Sequence, residues 1–106
     1  MKIPTSYLAA NTYLGRKQER PCANNTRLRR KEDGSIAMRL YQTDVVTWYH
    51  DGTIRLDTDG WTTVTTKRII NAATNAGIYQ KRGLWYYGNG TPFQDGDIIN
   101  QDGSLA

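Results

Sequence analysis

Apolar and polar residues alternate along the middle of the chain, which predicts a series of short β-strands. Residues 44–50 and 53–57 alternate strictly, with β-branched and aromatic residues at the alternate positions, and Asp51-Gly52 lies between them. Both central residues of a type I′ turn need φ above zero, which Gly adopts freely and Asp tolerates. The pattern therefore predicts a β-hairpin with a type I′ turn at Asp51-Gly52.

Further strand patterns lie on both sides of this hairpin. Residues 27–31 and 35–41 alternate around Asp33-Gly34 and predict a second hairpin. Residues 78–80 and 83–87 predict one or two more strands with a turn at residues 81–83. Ile98-Ile99 forms a short apolar element in the tail, and we expect it to add an edge strand.

One helical pattern follows the central hairpin. Apolar residues recur at spacings of three and four between residues 69 and 76, which predicts an amphipathic helix over about residues 66–76. Thr65 or Thr66 is suited to its N-cap and Gly77 to the left-handed position after its end.

Large apolar residues in these elements define a predicted core. We expect Trp61, directly after the turn at Asp59-Gly60, to cap this core with its ring. The predicted core comprises Leu28, Ile36, Met38, Leu40, Val45, Trp48 or Tyr49, Ile54, Leu56, Trp61, Val64, Ile69, Ile70, Ala73, Leu84 and Trp85.

These elements predict an α+β fold in a single domain spanning residues 1–106. The domain would consist of a loop-rich N-terminal segment (1–24), a core (25–87) and a tail (88–106). We expect a twisted antiparallel sheet of about five to six short strands, open or partly closed into a barrel, with one helix packed on it.

Composition narrows the class of protein. Hydrophobic residues make up 38% and the mean hydropathy is −0.69, without an apolar run long enough to span a membrane or to form a secretory signal. We therefore expect no membrane association and a location in the cytoplasm of a bacterial host. A single cysteine (Cys22) and a single histidine (His50) exclude an internal disulfide and zinc sites built from several Cys or His residues.

Positive charge is concentrated in the first third of the chain. Residues 1–40 carry nine Lys and Arg against three acidic residues, a net charge of +6, whereas residues 41–106 carry a net charge of −2. This asymmetry indicates either a surface that faces a polyanion or a solvated basic face of a soluble protein.

Three groups of basic and aromatic residues are candidates for a binding surface. The hairpin at 27–41 would present its cations on one face, the predicted helix would carry two cations in its first turn, and the later strands would place an aromatic residue beside two cations. The candidates are Arg27, Arg29, Arg30, Lys31, Arg39, Tyr41, Lys67, Arg68, Lys81, Arg82 and Tyr86.

Catalytic chemistry has little support in the sequence. Asp57-Thr58-Asp59 and Asp95-Gly96-Asp97 each place two carboxylates two residues apart, which suits Mg²⁺ or Ca²⁺, but both lie at predicted turns where Asp is expected for structural reasons. Arg20 and Arg27 lie near Cys22 in sequence and would lower the pKa of its thiol. We assign no catalytic residues, no metal site and no cofactor, and we expect a protein that is not an enzyme.

Four segments in the middle of the chain resemble small accessory proteins of bacteriophages and other mobile elements. The segments are TDVV at 43–46, DGTIRL at 51–56, GWTTVTTK at 60–67 and RIIN at 68–71, and the resemblance covers roughly residues 24–72. It implies a phage setting, where small non-enzymatic proteins often inhibit host defence, including CRISPR effectors.

Three functions follow as expectations. The first is inhibition of a host defence complex, such as a CRISPR-like one, by occupying a surface meant for nucleic acid or for a partner. The second is sequence-tolerant binding of DNA or RNA through the basic hairpin. The third is a small metal-dependent phosphodiesterase that uses Asp57, Asp59 and His50.

Overall fold

A computed structural model describes residues 3–106 and contains two helices and eight strands in that range. The helices are α1 (Tyr7–Leu14) and α2 (Val64–Ala73). The strands are β1 (Glu19–Ala23), β2 (Thr26–Arg30), β3 (Ile36–Leu40), β4 (Thr43–Trp48), β5 (Ile54–Leu56), β6 (Tyr79–Lys81), β7 (Leu84–Tyr86) and β8 (Ile98–Ile99).

The strands form two antiparallel sheets. The main sheet has the order β1-β2-β3-β4-β5-β8, and β6 pairs with β7 in a separate hairpin. Five consecutive strands thus form a meander, and the predicted edge strand at Ile98-Ile99 is confirmed. The α+β prediction is also confirmed, and the outer strands β1 and β8 do not pair with each other, so the sheet does not close into a barrel.

Strand register sorts the side chains of the main sheet onto two faces. Leu28, Met38, Val46 and Leu56 are successive register partners across β2, β3, β4 and β5, so they share one face. This face is buried, and the residues that α1, α2 and β7 bury belong to the same core cluster. We call it the core face.

Helix α1 was not predicted, because the N-terminal segment lacks apolar periodicity and was expected to be rich in loops. The helix begins after Ser6, whose hydroxyl accepts a hydrogen bond from the Ala9 N–H at 3.1 Å. It buries only Ala10 and Leu14. Together with β1, this helix gives regular structure to much of residues 3–24.

Helix α2 is confirmed, but it begins earlier and ends earlier than predicted. Its N-cap is Thr63, whose hydroxyl accepts from the Thr66 N–H at 3.1 Å, and its C-cap is Thr74. Gly77 adopts a left-handed φ of 62° but lies beyond the helix. Lys67 is therefore the fourth helical residue, and neither it nor Arg68 lies where free N–H groups would gather an anion.

One turn design recurs in the main sheet. At residues 33–35, 51–53 and 102–104, an Asp-Gly-Ser/Thr sequence closes a hairpin, and in each the Asp carboxylate accepts from the N–H and the hydroxyl of the third residue at 2.9 and 2.6 Å. The hydroxyl hydrogen bond, with the N–H bond, lowers the pKa of each carboxyl. These are local contacts that any chain with this tripeptide can form.

The type I′ turn predicted at Asp51-Gly52 is wrong. Only Gly52 has positive φ there, at 91°, and the hydrogen bonds from Gly52 N to Tyr49 O and from Tyr49 N to Thr53 O close a three-residue loop with a G1 bulge. Asp59 and Gly60 do have positive φ, at 51° and 82°, and the Trp61 N–H closes that turn on Thr58 O. The Asp51 carboxylate accepts hydrogen bonds from the N–H and the hydroxyl of Thr53, which favours the three-residue loop over a type I′ turn.

Most of the predicted core is buried, with three exceptions. Trp61, Val64 and Leu84 are 67%, 64% and 63% exposed. Val64 is the first residue of α2 and Trp61 precedes that helix in a loop, so neither reaches the sheet. In β7, the period of two buries Trp85 and leaves Leu84 and Tyr86 outside.

We expect Gly103→Ala to destabilise the fold more than Gly52→Ala. Both glycines have φ near 90°, where an L side chain costs about 1 kcal/mol. A Cβ at Gly52 meets open space, whereas at Gly103 it collides with the backbone carbonyl of Asn75. Urea unfolding should therefore show a free-energy loss for Gly103→Ala that exceeds the loss for Gly52→Ala by at least about 1 kcal/mol; equal losses would contradict the packing of the tail on the end of α2.

Candidate functional site

The second face of the main sheet is rich in arginine. Glu19, Arg29, Ala37, Thr47 and Arg55 are successive register partners across five strands. A neighbouring row joins Arg27 to Arg39 and then to Asp44. We call this surface the basic face, and with Lys31, which pairs with Asp44, it carries five cations: Arg27, Arg29, Lys31, Arg39 and Arg55.

The basic face is not covered by any of the described helices or by the second sheet. Ala37 and Thr47 lie in its middle and are 0% and 3% exposed, yet Ala37 is not part of the core cluster. Long side chains on both sides of such small residues can bury them with their aliphatic stems while the charged ends stay in water. This arrangement holds the cations over the surface of the sheet.

Four ion pairs stabilise the charges around this face. Arg27 Nε lies 3.1 Å from Glu19, Lys31 Nζ lies 3.1 Å from Asp44, Arg39 Nε lies 3.3 Å from Asp44, and Arg55 Nη2 lies 3.0 Å from Asp57. Burial raises the pKa of Asp44, but hydrogen bonds and charge from Lys31 and Arg39 outweigh burial, so its pKa is lowered.

The charge of the basic face is not balanced. Three acidic partners (Glu19, Asp44 and Asp57) serve five cations, because Asp44 is shared by two and Arg29 forms no ion pair within residues 3–106. Arg27 and Arg39 are also directly opposite each other on neighbouring strands, which is a destabilising arrangement for like charges. A net charge of about +2 over one uncovered face suits an anionic partner.

The remaining candidate residues lie elsewhere. Arg30 is on the core face, where it donates to Asn11 Oδ1 at 2.7 Å and to Gly15 O at 3.1 Å, so it fastens α1 to the sheet. Lys67 and Arg68 lie on α2. Lys81 is the last residue of β6 and Arg82 lies in the β6–β7 turn, while Tyr86 stacks on Tyr79 with ring centroids 5.7 Å apart.

Tyr41 lies at the end of the β3–β4 hairpin, between two cavities. It is 66% exposed and has a left-handed φ of 55°, which is a strained conformation for an aromatic residue. Its N–H donates to Asn25 O at 2.9 Å, and its hydroxyl accepts from Asn25 Nδ2 at 3.0 Å. Both contacts fix the ring at this position.

The two cavities differ in chemistry. The larger one, of about 490 Å³, is bounded by Leu40, Val45, Tyr41, Trp61 and several threonines. The smaller one, of about 290 Å³, is bounded by Arg27, Arg39, Asn25 and the other side of Tyr41. An apolar cavity and a cationic cavity therefore adjoin along one aromatic ring.

The structure does not bring together the residues considered for catalysis. His50 lies in the turn before β5, where its Nε2 is 2.7 Å from Tyr7 Oη, whereas Asp57 and Asp59 follow β5. Asp95 and Asp97 accept hydrogen bonds that join the tail to Thr58 and Tyr87. Among residues 3–106, no three His, Cys, Asp or Glu side chains form a group that could hold a metal ion.

Cys22 differs from the sequence-based expectation. Its side chain is buried, and burial raises the pKa of the thiol although the charge of Arg27 acts in the opposite direction. The expected lowering of its pKa by neighbouring arginines is therefore wrong.

Comparison with known families gives the biological context. A model of the Kyanoviridae Gp96 protein family matches residues 4–100, which is nearly the whole chain. The chain belongs to this family. Because Kyanoviridae are bacteriophages, this Gp96-family protein is a phage protein, as the resemblance in residues 24–72 implied. No curated protein and no solved structure matches it.

The helices of this Gp96-family protein are short. Within residues 3–106, neither helix has the length and apolar character needed to cross a membrane.

Arg55 and Trp61 were not among the candidate site residues that the sequence predicted. Arg55 alternates with the apolar residues Ile54 and Leu56, but only the strand order places it on the same face as Arg29. Trp61 was assigned to the core because a large aromatic residue after a turn usually packs inward. A sign of its exposure exists in the sequence, since its four following residues are Thr62, Thr63, Val64 and Thr65, which offer little apolar surface.

Asp44→Asn should destabilise the Gp96-family protein at neutral pH but not in acid. Because the folded-state pKa of Asp44 is lowered, its stabilising effect is complete above the unfolded-state pKa of about 3.9 and disappears as the pH falls through the folded-state value. Urea unfolding at pH 7 should show a loss of about 1 kcal/mol, and the difference between the variant and the original protein should shrink as the pH falls below the unfolded-state pKa.

Glu32→Gln is a matched control for that experiment, since Glu32 is an exposed carboxyl outside these ion pairs. It should leave stability unchanged at both pH values. A loss for Asp44→Asn that persists undiminished in acid would refute the role given to its charge.

Proposed function

We propose that this phage protein is a non-enzymatic binding protein that engages nucleic acid through its basic face. The observation that carries the proposal is the register of the sheet, which lines up Arg27 with Arg39 and puts Arg29 in the neighbouring row of the same uncovered surface. A flat cationic sheet surface with an aromatic residue at its edge is one design for sequence-tolerant binding of single strands.

The positive charge of the basic face supports direct binding of nucleic acid and argues against mimicry of nucleic acid. A protein that replaces nucleic acid on a host complex needs an acidic surface there, whereas this face is cationic. The η-nitrogens of Arg27 and Arg39 make no hydrogen bonds within residues 3–106, because both arginines meet their carboxylates through Nε. These groups have the geometry to contact phosphate oxygens.

Binding of a 15-nucleotide oligo-dT should depend on the arginines of the basic face. We expect the triple variant Arg27→Gln, Arg29→Gln, Arg39→Gln to weaken binding and to reduce the salt slope of log Kobs by roughly 0.7 for each lost phosphate contact. Asp44→Asn should tighten binding, because it releases Arg39 and Lys31 from a shared carboxylate. Fluorescence anisotropy between 50 and 200 mM salt (roughly the range in which such contacts dominate) measures both effects.

The matched control removes the same number of charges outside the face. It combines Arg68→Gln, Lys81→Gln and Arg82→Gln, which lie on α2, at the end of β6 and in the β6–β7 turn. The control should bind oligo-dT nearly as well as the original protein. Absence of binding at low salt, or equal losses in the two triple variants, would disprove nucleic-acid binding by the basic face.

A second candidate is inhibition of a host defence complex, such as a CRISPR-like complex, in the cytoplasm of the bacterial host. The exposed side chains of Tyr41 and Trp61 at one cavity favour it, because large exposed aromatic residues are frequent anchors of protein interfaces. Expression in a host with active CRISPR immunity should then restore plating of a targeted phage, and Trp61→Ala should abolish that effect while the triple arginine variant retains it.

A further inference from the structure

We infer that the 490 Å³ cavity receives a base of single-stranded nucleic acid, while Arg27 and Arg39 in the adjoining cavity bind the phosphate next to that base. This inference rests on the proposed nucleic-acid binding and assigns its central contact. Tyr41 would separate the base from the phosphate, since its ring borders both cavities.

The larger cavity has the size and the walls that a base requires. Its volume lies in the range of roughly 300–1,000 Å³ that is usual for small-ligand sites. Leu40 and Val45 are buried and form apolar walls, whereas Trp61 and Tyr41 are exposed and offer aromatic faces. Gln42 and Thr65 add polar groups that can meet the edge of a base.

The smaller cavity is complementary in charge to a phosphate. Arg27 and Arg39 both border it, and Asn25 lies beside them. An apolar cavity alone would not select an occupant, but a cationic cavity that shares a wall with it favours a ligand with a flat apolar part and an adjacent negative charge. A nucleotide within a single strand has this form, and a base paired in a duplex cannot enter such a cavity.

The strain at Tyr41 is an independent sign of function. A non-glycine residue at φ of 55° costs free energy, and strained residues gather at sites where a side chain must be held in place. The two contacts with Asn25 hold this ring between the cavities. Glycine would close the same hairpin without strain.

An abasic oligonucleotide separates the base from the phosphates. We expect the original protein to bind 15-nucleotide oligo-dT roughly 10- to 100-fold more tightly than an abasic strand of equal length, the range expected for loss of base stacking. Trp61→Ala should lower oligo-dT affinity to the abasic level, leave the affinity for the abasic strand unchanged and preserve the salt slope. Trp61→Phe should retain most of the difference, and Leu84→Ala, another exposed apolar residue outside the cavity, should behave like the original protein.

Tyr41→Gly provides a test that loss of folding cannot imitate. Because glycine relieves the left-handed strain, its Tm should be no lower than that of the original protein, while the affinity for oligo-dT should fall roughly 10-fold or more. Both results together support a functional tyrosine.

The binding results distinguish the base cavity from the basic face. Equal binding of oligo-dT and the abasic strand, still dependent on Arg27 and Arg39, would overturn the base cavity and leave the basic face intact. Binding of neither strand would overturn both proposals. Equal weakening of both strands by Trp61→Ala would also overturn the base contact, and tight capture of an acidic, aromatic-rich peptide in place of oligo-dT would assign the two cavities to a protein ligand.

Discussion

Burial of only one face of the main sheet is the constraint on which the rest of this structure depends. Alternating strands place Leu28, Met38, Val46 and Leu56 in one register row, and α1, α2 and the second hairpin bury their apolar residues in the same cluster. With all covering elements on one side, the opposite face stays open. Small residues at its centre let arginine and lysine stems lie across it.

The recurring Asp-Gly-Ser/Thr turns make this arrangement possible. Each turn satisfies its own Asp carboxylate with two local donors, so it needs no support from the rest of the protein. Turns that are complete in themselves favour a meander of neighbouring strands. The carboxylates of Asp33, Asp51 and Asp102 are each bound within their own turn, so these residues do not gather into a cluster of carboxylates.

The hairpin between β3 and β4 differs from these self-contained turns. Tyr41 has positive φ without being glycine, and β4 contains an irregularity in its pairing with β3 next to Arg39 and Asp44. The irregularity and the strained residue lie where the basic face ends and the apolar cavity begins. Glycine would adopt this φ without strain, and the proposed binding role accounts for a tyrosine at residue 41.

The sequence by itself determined the α+β class, the hairpins, the turn between β6 and β7, the edge strand β8 and most of the core, because strand alternation and turn residues act over a few positions. It also predicted that Arg27, Arg29 and Arg39 share a face, since they occupy alternate positions of one hairpin. It did not predict α1, which buries two residues and lacks a clear apolar period.

Only the tertiary structure decided which charged and aromatic residues lie together. Arg30 follows Arg29 directly, yet it is bound beneath α1, and Arg55 joins the basic face through three intervening strand pairings. Trp61 has the sequence character of a core residue but lies in a loop that leaves it at the rim of a cavity. Local pattern specifies which side of a strand a residue occupies, whereas the neighbours on that side depend on strand order and on where the helices pack.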